Sequence, residues 1–147
     1  MGRRYIFRMM SGRAPTNGAL SLPIRRIALV VEDDPSQRKQ VTEHLTHLGL
    51  EVISVADGDA ALSYVRERRP DLLCLDLSLP HISGYEVCEQ IRTDPELQDL
   101  AVIMTSERAS LEERAHSYEA GADAYLSKPF SLDKLAKEVA RLLDRPK

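Results

Sequence analysis

The chain has 147 residues, of which 43% are hydrophobic and 29% charged, which is ordinary for a globular protein and enough for one domain with a full core. No apolar run approaches the ~20 residues of a membrane span, and the N-terminal region has no continuous apolar stretch typical of a secretory signal. Residues 1–26 contain six arginines and no acidic residue, leaving 14 basic and 23 acidic residues in the remainder. The domain is therefore acidic, which disfavours nucleic-acid binding by the domain itself and favours cations or basic partners.

The N-terminal region is predicted to lie outside the fold. Residues 1–23 combine glycine, proline, serine and arginine without a sustained hydrophobic period. We therefore expect a flexible basic extension at 1–23 and one domain over 24–145. The two cysteines, Cys74 and Cys88, fall in an apolar strand and on the following helix, so both are expected in the core. Their use as core residues, with no signal sequence, favours a reducing cytoplasm.

Five apolar segments alternate with five segments of helical period. The predicted strands are Ile24–Val31, Glu51–Val55, the apolar run that opens at Asp71 and should end at Asp76, Leu100–Thr105 and Asp123–Leu126. Each is followed by a helix start signal, and these are Asp34 before Pro35, Asp57, Ser83 with Glu86, Ser110 with Glu113, and Ser131. Strict alternation of apolar strands and helices indicates an α/β fold with a doubly wound parallel sheet and right-handed crossovers.

Chemically active side chains stand where four of these strands end. The first strand is followed by Glu32 and Asp33, the third by Asp76, the fourth by Ser106 and the fifth by Lys128. The carboxyl ends of parallel strands lie along one edge of the sheet, so these side chains can converge there. Three carboxylates in one small site repel each other, and a hard cation with oxygen ligands, most naturally Mg²⁺, would relieve this. A carboxylate nucleophile, a metal, a lysine and a hydroxyl together suit phosphoryl transfer.

Each residue also has a structural explanation. Acidic pairs after a strand often cap the next helix, Ser106 is compatible with a turn, and Lys128 with a solvated surface charge. We favour the functional explanation, because the structural one requires that residues of these types stand at four strand ends by coincidence.

Four sequence blocks resemble the receiver domain of two-component response regulators. They are Val30-Val31-Glu32-Asp33-Asp34-Pro35, Leu75-Asp76-Leu77-Ser78-Leu79-Pro80 with Gly84, Val102-Ile103-Met104-Thr105-Ser106, and Gly121-Ala122-Asp123-Ala124-Tyr125-Leu126-Ser127-Lys128-Pro129-Phe130. The resemblance runs from about Ile24 to Leu143. It implies a flavodoxin-like sheet of five parallel strands in the order 2-1-3-4-5, with five helices.

The resemblance also implies a role for each matching residue. Asp76 is expected to be the phosphoacceptor, with Lys128 and Ser106 contacting the phosphoryl group and Ser106 with Tyr125 forming the conformational switch. The metal ligands are expected to be Asp33 directly, Glu32 through water, Asp76, and the backbone carbonyl of Ser78. The Lys128–Pro129 bond is expected to be cis.

The resulting hypothesis is a stand-alone, chemotaxis-regulator-like receiver, since no output domain fits after Arg145-Pro146-Lys147. A histidine kinase or histidine phosphotransfer protein is expected to phosphorylate Asp76 in a reaction that needs Mg²⁺, with Mn²⁺ able to substitute. The chain would act as a signalling phosphoacceptor that catalyses only its own phosphorylation and dephosphorylation. Output is expected through the face formed by helix 4, strand 5 and helix 5, with a phosphorylation-dependent homodimer as one option.

Two other classes of protein share the aspartate after a parallel strand or the fold, and both are alternatives to a receiver. A haloacid-dehalogenase-type hydrolase also has an aspartate after a parallel strand, but it needs a second acid where this chain has Ser78, and a cap domain. A flavodoxin-like flavin carrier needs a phosphate loop where this chain has Glu32-Asp33-Asp34, which would repel phosphate. A receiver that no longer takes phosphate is a weaker alternative, because every core position is filled. Departures from the usual pattern are His81 and Ser83 in the loop after strand 3, and Glu107 after the switch serine.

Overall fold

The computed structural model describes residues 25–108 and 110–144, which form alternating strands and helices. The strands are β1 Ile27–Val31, β2 Glu51–Val55, β3 Leu72–Asp76, β4 Ala101–Ser106 and β5 Ala124–Ser127. The α-helices are α1 Pro35–His47, α2 Gly58–Arg68, α3 Gly84–Thr93, α4 Leu111–Glu119 and α5 Leu132–Leu143, and a 3₁₀ turn spans Pro95–Leu97. The predicted α/β architecture is confirmed.

All strand pairs in the sheet are parallel, and the strand order is β2-β1-β3-β4-β5. This is the order that the resemblance implied. The order reverses at β1, so the crevice beyond the carboxyl ends of β1 and β3 lies at a topological switch point, where open α/β sheets bind their ligands.

The sheet separates two hydrophobic layers. One contains buried residues of α1 and α5, including Val41, Leu45, Leu135 and Leu142. The other contains residues of α2 and α3, including Val65 and Ile91. Cys74 lies in the first layer and Cys88 in the second, and both are buried and free, as predicted. Helix α4 is weakly anchored by comparison, because its one buried residue among those described is Ser117.

The helix starts agree with the sequence signals. The side chains of Asp34, Asp57, Ser83, Ser110 and Ser131 all accept a hydrogen bond from the first turn of the helix that follows. Ser83 and Glu86 form a complete capping box. The expected partnership of Ser110 and Glu113 is only half right, because the Glu113 carboxylate turns away to the end of β4 and contacts other residues.

Several boundaries differ from the predicted ones by one to three residues. β1 begins at Ile27, while β4 and β5 each begin and end one residue later than predicted. Ladder pairing with neighbours sets these ends: Asp76 pairs with Thr105, and Ser106 pairs with Ser127. The predicted extension at residues 1–23 lies outside the described residues. Among the helices within 25–108 and 110–144, none combines the length and apolar character needed to cross a membrane.

Candidate functional site

The carboxyl edge of the sheet brings the predicted acidic residues together. Glu32 follows β1 directly and Asp76 is the last residue of β3. One carboxylate oxygen each from Glu32, Asp33 and Asp76 lie within 4.8 Å of one another. Glu32 and Asp76 are buried, whereas Asp33 is exposed. The cluster therefore has two buried acids and one that faces solvent.

Lys128 lies against the two buried acids. Its Nζ donates to Glu32 Oε1 at 2.5 Å, to Gln37 Oε1 at 2.7 Å and to Asp76 Oδ1 at 3.1 Å. These three bonds use all three donors of an ammonium group. Lys128 thus offsets part of the negative charge, but one ammonium against three carboxylates leaves the cluster net negative.

Burial and charge alter the acid–base properties of both partners. Burial raises the pKa of Asp76 to about 6; the positive charge of Lys128 lowers it and the negative charge of Glu32 raises it further. Burial alone would lower the pKa of Lys128, but its hydrogen bond to Glu32 and the charge of Asp76 outweigh burial and raise it. Lys128 therefore stays protonated, while Asp76 holds its negative charge at a cost.

The donor set suits a hard divalent cation. Glu32, Asp33 and Asp76 supply only carboxylate oxygens, which Mg²⁺ prefers, and the exposure of Asp33 leaves room for bound waters. The Ser78 backbone N–H hydrogen-bonds to the Asp76 carboxylate, and this bond lowers the pKa of Asp76. The structure thus places Ser78 beside Asp76, while its carbonyl as a metal ligand stays a prediction.

The structure gives a steric reason for glycine at position 84, in the sequence block that follows Asp76. A Cβ atom at this position would lie 2.5 Å from the Asp76 backbone oxygen and 2.9 Å from Leu77 Cα, closer than real Cβ atoms approach. Its backbone N–H donates to the Leu77 carbonyl at 2.9 Å. The absent side chain lets α3 begin directly against the end of β3, and in the intervening loop His81 has a φ of 73°. The expected cis peptide between Lys128 and Pro129 is present.

Gln37 is a site residue that the sequence reasoning missed. Its Oε1 accepts from Lys128 and its Nε2 donates to Glu107 Oε2 at 3.0 Å, so it joins α1 to the segments after β4 and β5. Its place in the first turn of α1, at the same edge as Glu32, could have suggested it. A cavity of about 350 Å³ adjoins this bridge, lined by Gln37, Gln40, Val41, His44, Glu107, Lys128, Pro129 and Phe130.

The predicted switch residues, Ser106 and Tyr125, are both buried, and both contact Glu113 and Arg108. Ser106 is 4% exposed and Tyr125 6% exposed. Ser106 Oγ donates to Glu113 Oε1 at 2.5 Å and accepts from the Arg108 backbone N–H at 3.1 Å. The Tyr125 hydroxyl lies 2.5 Å from the Arg108 carbonyl and 2.8 Å from the same Glu113 oxygen, and these two acceptors share its single proton. Burial and the bond to Glu113 raise the pKa of Tyr125, so its phenol stays protonated.

The geometry thus sorts the predicted residues into two groups. Glu32, Asp33, Asp76 and Lys128 form one connected cluster. Ser106 and Tyr125 form a second group around Glu113. The Ser106 hydroxyl donates its hydrogen bond to the Glu113 carboxylate and not to the acidic cluster. The Tyr125 ring is already buried in this structure.

Comparison with known proteins agrees with this arrangement. The family model described as response regulator receiver domain matches residues 28–140. The chain belongs to the response regulator receiver family. As a receiver domain, it has a general role in two-component signalling, and receiver domains are phosphorylated by histidine kinases as signalling phosphoacceptors. Membership of this family sets aside the dehalogenase-type hydrolase and the flavin carrier.

Relatives and solved structures extend the comparison of this receiver domain. The response regulator MprA of Mycobacterium avium is 40% identical over 119 residues, covering 81% of this chain and 51% of that protein. The chain thus spans about half the length of the curated relatives it matches. The BeF3-activated DrrB receiver domain has 34% identity and a TM-score of 0.74, covering 83% of this chain and all of that one. The receiver domain of the sensor histidine kinase PA1611 from Pseudomonas aeruginosa has 29% identity and a TM-score of 0.78, with 83% and 100% covered; it holds a magnesium ion in its active-site cleft.

Proposed function

We propose that Asp76 of this receiver accepts a phosphoryl group from the phosphohistidine of a histidine kinase or histidine phosphotransfer protein. The observation that carries this proposal is the position of the Asp76 carboxylate. It stands buried at the end of β3, bonded to Lys128, beside two further acids that could hold a divalent cation. A relative with 29% identity binds magnesium in the corresponding cleft, which supports Mg²⁺ as the cofactor.

The residues divide the chemistry among themselves. A carboxylate oxygen of Asp76 attacks phosphorus, a new O–P bond forms, the P–N bond to the donor histidine breaks, and the imidazole leaves with the electron pair. Lys128 contacts Asp76 already and would follow the charge onto the phosphoryl oxygens. When bound, Mg²⁺ would be held by Asp33, Asp76, the Ser78 carbonyl and, through water, Glu32, and would offset negative charge at the site.

Reversal of the signal needs only water. Attack of water on the phosphorus of the Asp76 acyl phosphate releases inorganic phosphate and restores the carboxylate. Ser78 and Arg108 are both exposed and follow Asp76 and Ser106 at a distance of two residues, so we propose that they control access of this water. The domain accelerates its own phosphorylation and dephosphorylation and turns over no other substrate, in the cytoplasm where its phosphodonor would lie.

Output would leave through the face formed by α4, β5 and α5. This face carries Leu111, which is 82% exposed, and Tyr118, also exposed, on one side of α4. Large apolar side chains exposed in this way are suited to contact with another protein. We propose a downstream protein, or a second phosphorylated copy of the chain, as the partner of this face.

Intact-mass spectrometry with a small-molecule phosphodonor tests the phosphorylation. We expect a single phosphate adduct in the wild type with Mg²⁺, a similar one with Mn²⁺, and none with excess chelator. Asp76→Ala should give no adduct, whereas Asp71→Ala, at the opposite end of β3, should still give one. An adduct on Asp76→Ala, or equal phosphorylation in chelator, would overturn the assignment; failure with Mn²⁺ alone would overturn only the substitution of metals.

A further inference from the structure

One carboxylate oxygen ties both switch residues to helix α4. Glu113 Oε1 accepts from the Ser106 hydroxyl at 2.5 Å and from the Tyr125 hydroxyl at 2.8 Å. Glu113 itself is fixed in the first turn of α4, where its backbone N–H donates to Ser110 Oγ and its carbonyl accepts from the Ser117 hydroxyl at 2.9 Å. The two bonds to Glu113 therefore connect the ends of β4 and β5 directly to α4.

These bonds matter to α4 because few buried side chains hold it, and its main other contact is the stacking of His116 on Tyr85 of α3, with ring centroids 3.8 Å apart. Ser117 is its one buried residue among those described, and Leu111 is almost fully exposed. A helix with few buried apolar contacts opens locally at a low cost in free energy, so its position depends on its polar bonds. The neighbouring Arg114 lies about 6.0 Å above the Tyr125 ring, a contact that is weaker than a short charge-assisted hydrogen bond.

The Ser106 hydroxyl has one proton, and it is already in use. A serine hydroxyl donates a single hydrogen bond. To donate to a phosphoryl oxygen on Asp76, Ser106 has to break its bond to Glu113. Since that bond is short and joins a hydroxyl to a carboxylate in a partly buried setting, it is of the strong kind. Phosphorylation must work against it.

We propose that Glu113 holds Ser106 in the resting position, so that it sets the threshold for activation and transmits the phosphorylation of Asp76 to α4. This proposal rests on the proposed function. In the resting state Glu113 binds both hydroxyls. In the phosphorylated state Ser106 turns to the phosphoryl oxygens, and Glu113 keeps only its contact with the Tyr125 hydroxyl. The contact that changes is the one between the end of β4 and the first turn of α4, on the proposed output face.

The sign of the effect follows from which state contains the bond. The Ser106–Glu113 bond exists only in the resting state, so weakening it favours the activated state. Glu113→Gln keeps the shape and an acceptor oxygen but removes the charge, and neutral hydrogen bonds are roughly half as strong as charge-assisted ones. We expect Glu113→Gln to bind the phosphoryl mimic beryllofluoride about fivefold more tightly than the wild type.

The test is calorimetric titration of the whole chain with beryllofluoride in saturating Mg²⁺. Glu112→Gln is the matched control, because Glu112 is exposed in the same first turn and removes the same charge from the same helix end. Its affinity should stay within about twofold of the wild type. If Glu113→Gln fails to fold, Glu113→Asp replaces it, because a side chain shorter by one methylene cannot reach both hydroxyls and should also bind the mimic more tightly.

The same substitution in a Ser106→Ala background separates this role from a structural one. Without the Ser106 hydroxyl there is no resting bond to weaken, so Glu113→Gln should then leave the affinity for beryllofluoride unchanged. An increase that persists in the Ser106→Ala background, or no increase in the single variant, would overturn the proposal. If the wild type itself binds no beryllofluoride, the proposed phosphorylation of Asp76 fails first.

Amide hydrogen exchange supplies the second measurement. Beryllofluoride should speed exchange in the first turn of α4 in the wild type, because that turn loses its bond to Ser106. Glu113→Gln without beryllofluoride should already exchange faster there than Glu112→Gln does. Equal exchange in the two variants would show that the Ser106–Glu113 bond does not hold α4.

Discussion

Replacing Asp76 by asparagine should stabilise the metal-free protein while abolishing phosphorylation. Asparagine keeps the size of the side chain but removes a negative charge that is buried beside Glu32. The rise of the Asp76 pKa from its ordinary 3.8 to about 6 means that the ionised carboxylate costs up to about 3 kcal/mol of folding free energy. The pKa of about 6 already includes the attraction of Lys128, and solvent near the exposed Asp33 lowers the cost. We expect a net gain of about 1–2 kcal/mol at pH 8.

The gain should depend on pH in a defined direction. The Asp76 pKa is higher in the folded than in the unfolded state, so its contribution to stability is fully present below about pH 4 and is lost as the pH rises through about 6. Asparagine does not titrate. The difference between variant and wild type should therefore be largest at pH 8 and shrink steadily toward pH 4.

Urea unfolding at pH 5 and pH 8, in excess chelator, measures this difference. Glu89→Gln, which removes an exposed charge from the middle of α3, controls for the general relief of negative charge in an acidic domain. Mg²⁺ should then stabilise the wild type more than Asp76→Asn, because the variant has lost a ligand. A variant that is no more stable than the wild type at pH 8, or whose advantage does not change with pH, would refute the reasoning.

Three further predictions concern other parts of the domain. Arg92 donates to the Gly121 carbonyl at 2.8 Å and to Asp123 at 2.9 Å, at the edge of the sheet away from Asp76, so Arg92→Met should cost about 2–4 kcal/mol in urea unfolding and leave phosphate uptake intact; equal stability would contradict this. Substitution of Ser78 or Arg108 should change the decay rate of the Asp76 phosphate by more than about twofold, measured by loss of the mass adduct; decay within about twofold of the wild type in both variants would contradict their role. Leu111→Asp should leave stability within about 0.5 kcal/mol but keep the beryllofluoride form monomeric in sedimentation if the wild-type form dimerises; an unchanged dimer would place the interface on another face.

The site shows how far residue order alone can specify geometry. Glu32, Asp76 and Lys128 could be placed together from the sequence because each follows a parallel strand, and parallel strands all end at the same edge. The helix starts could be placed for a similar reason, since a cap such as Asp57 acts within its own first turn. In both cases the deciding interaction is local or is imposed by the repeating β-α unit.

The tertiary structure decided what local rules could not. Glu113 has the spacing of a capping residue, yet its carboxylate binds Ser106 and Tyr125, because two buried hydroxyls on separate strands require an acceptor. Gln37 looks like an ordinary polar residue of α1, and its bond to Lys128, 91 residues away, exists only once the sheet has brought the ends of β1 and β5 together. The sequence thus determined which chemistry this protein carries and at which edge, whereas packing determined which partner each proton and each charge has.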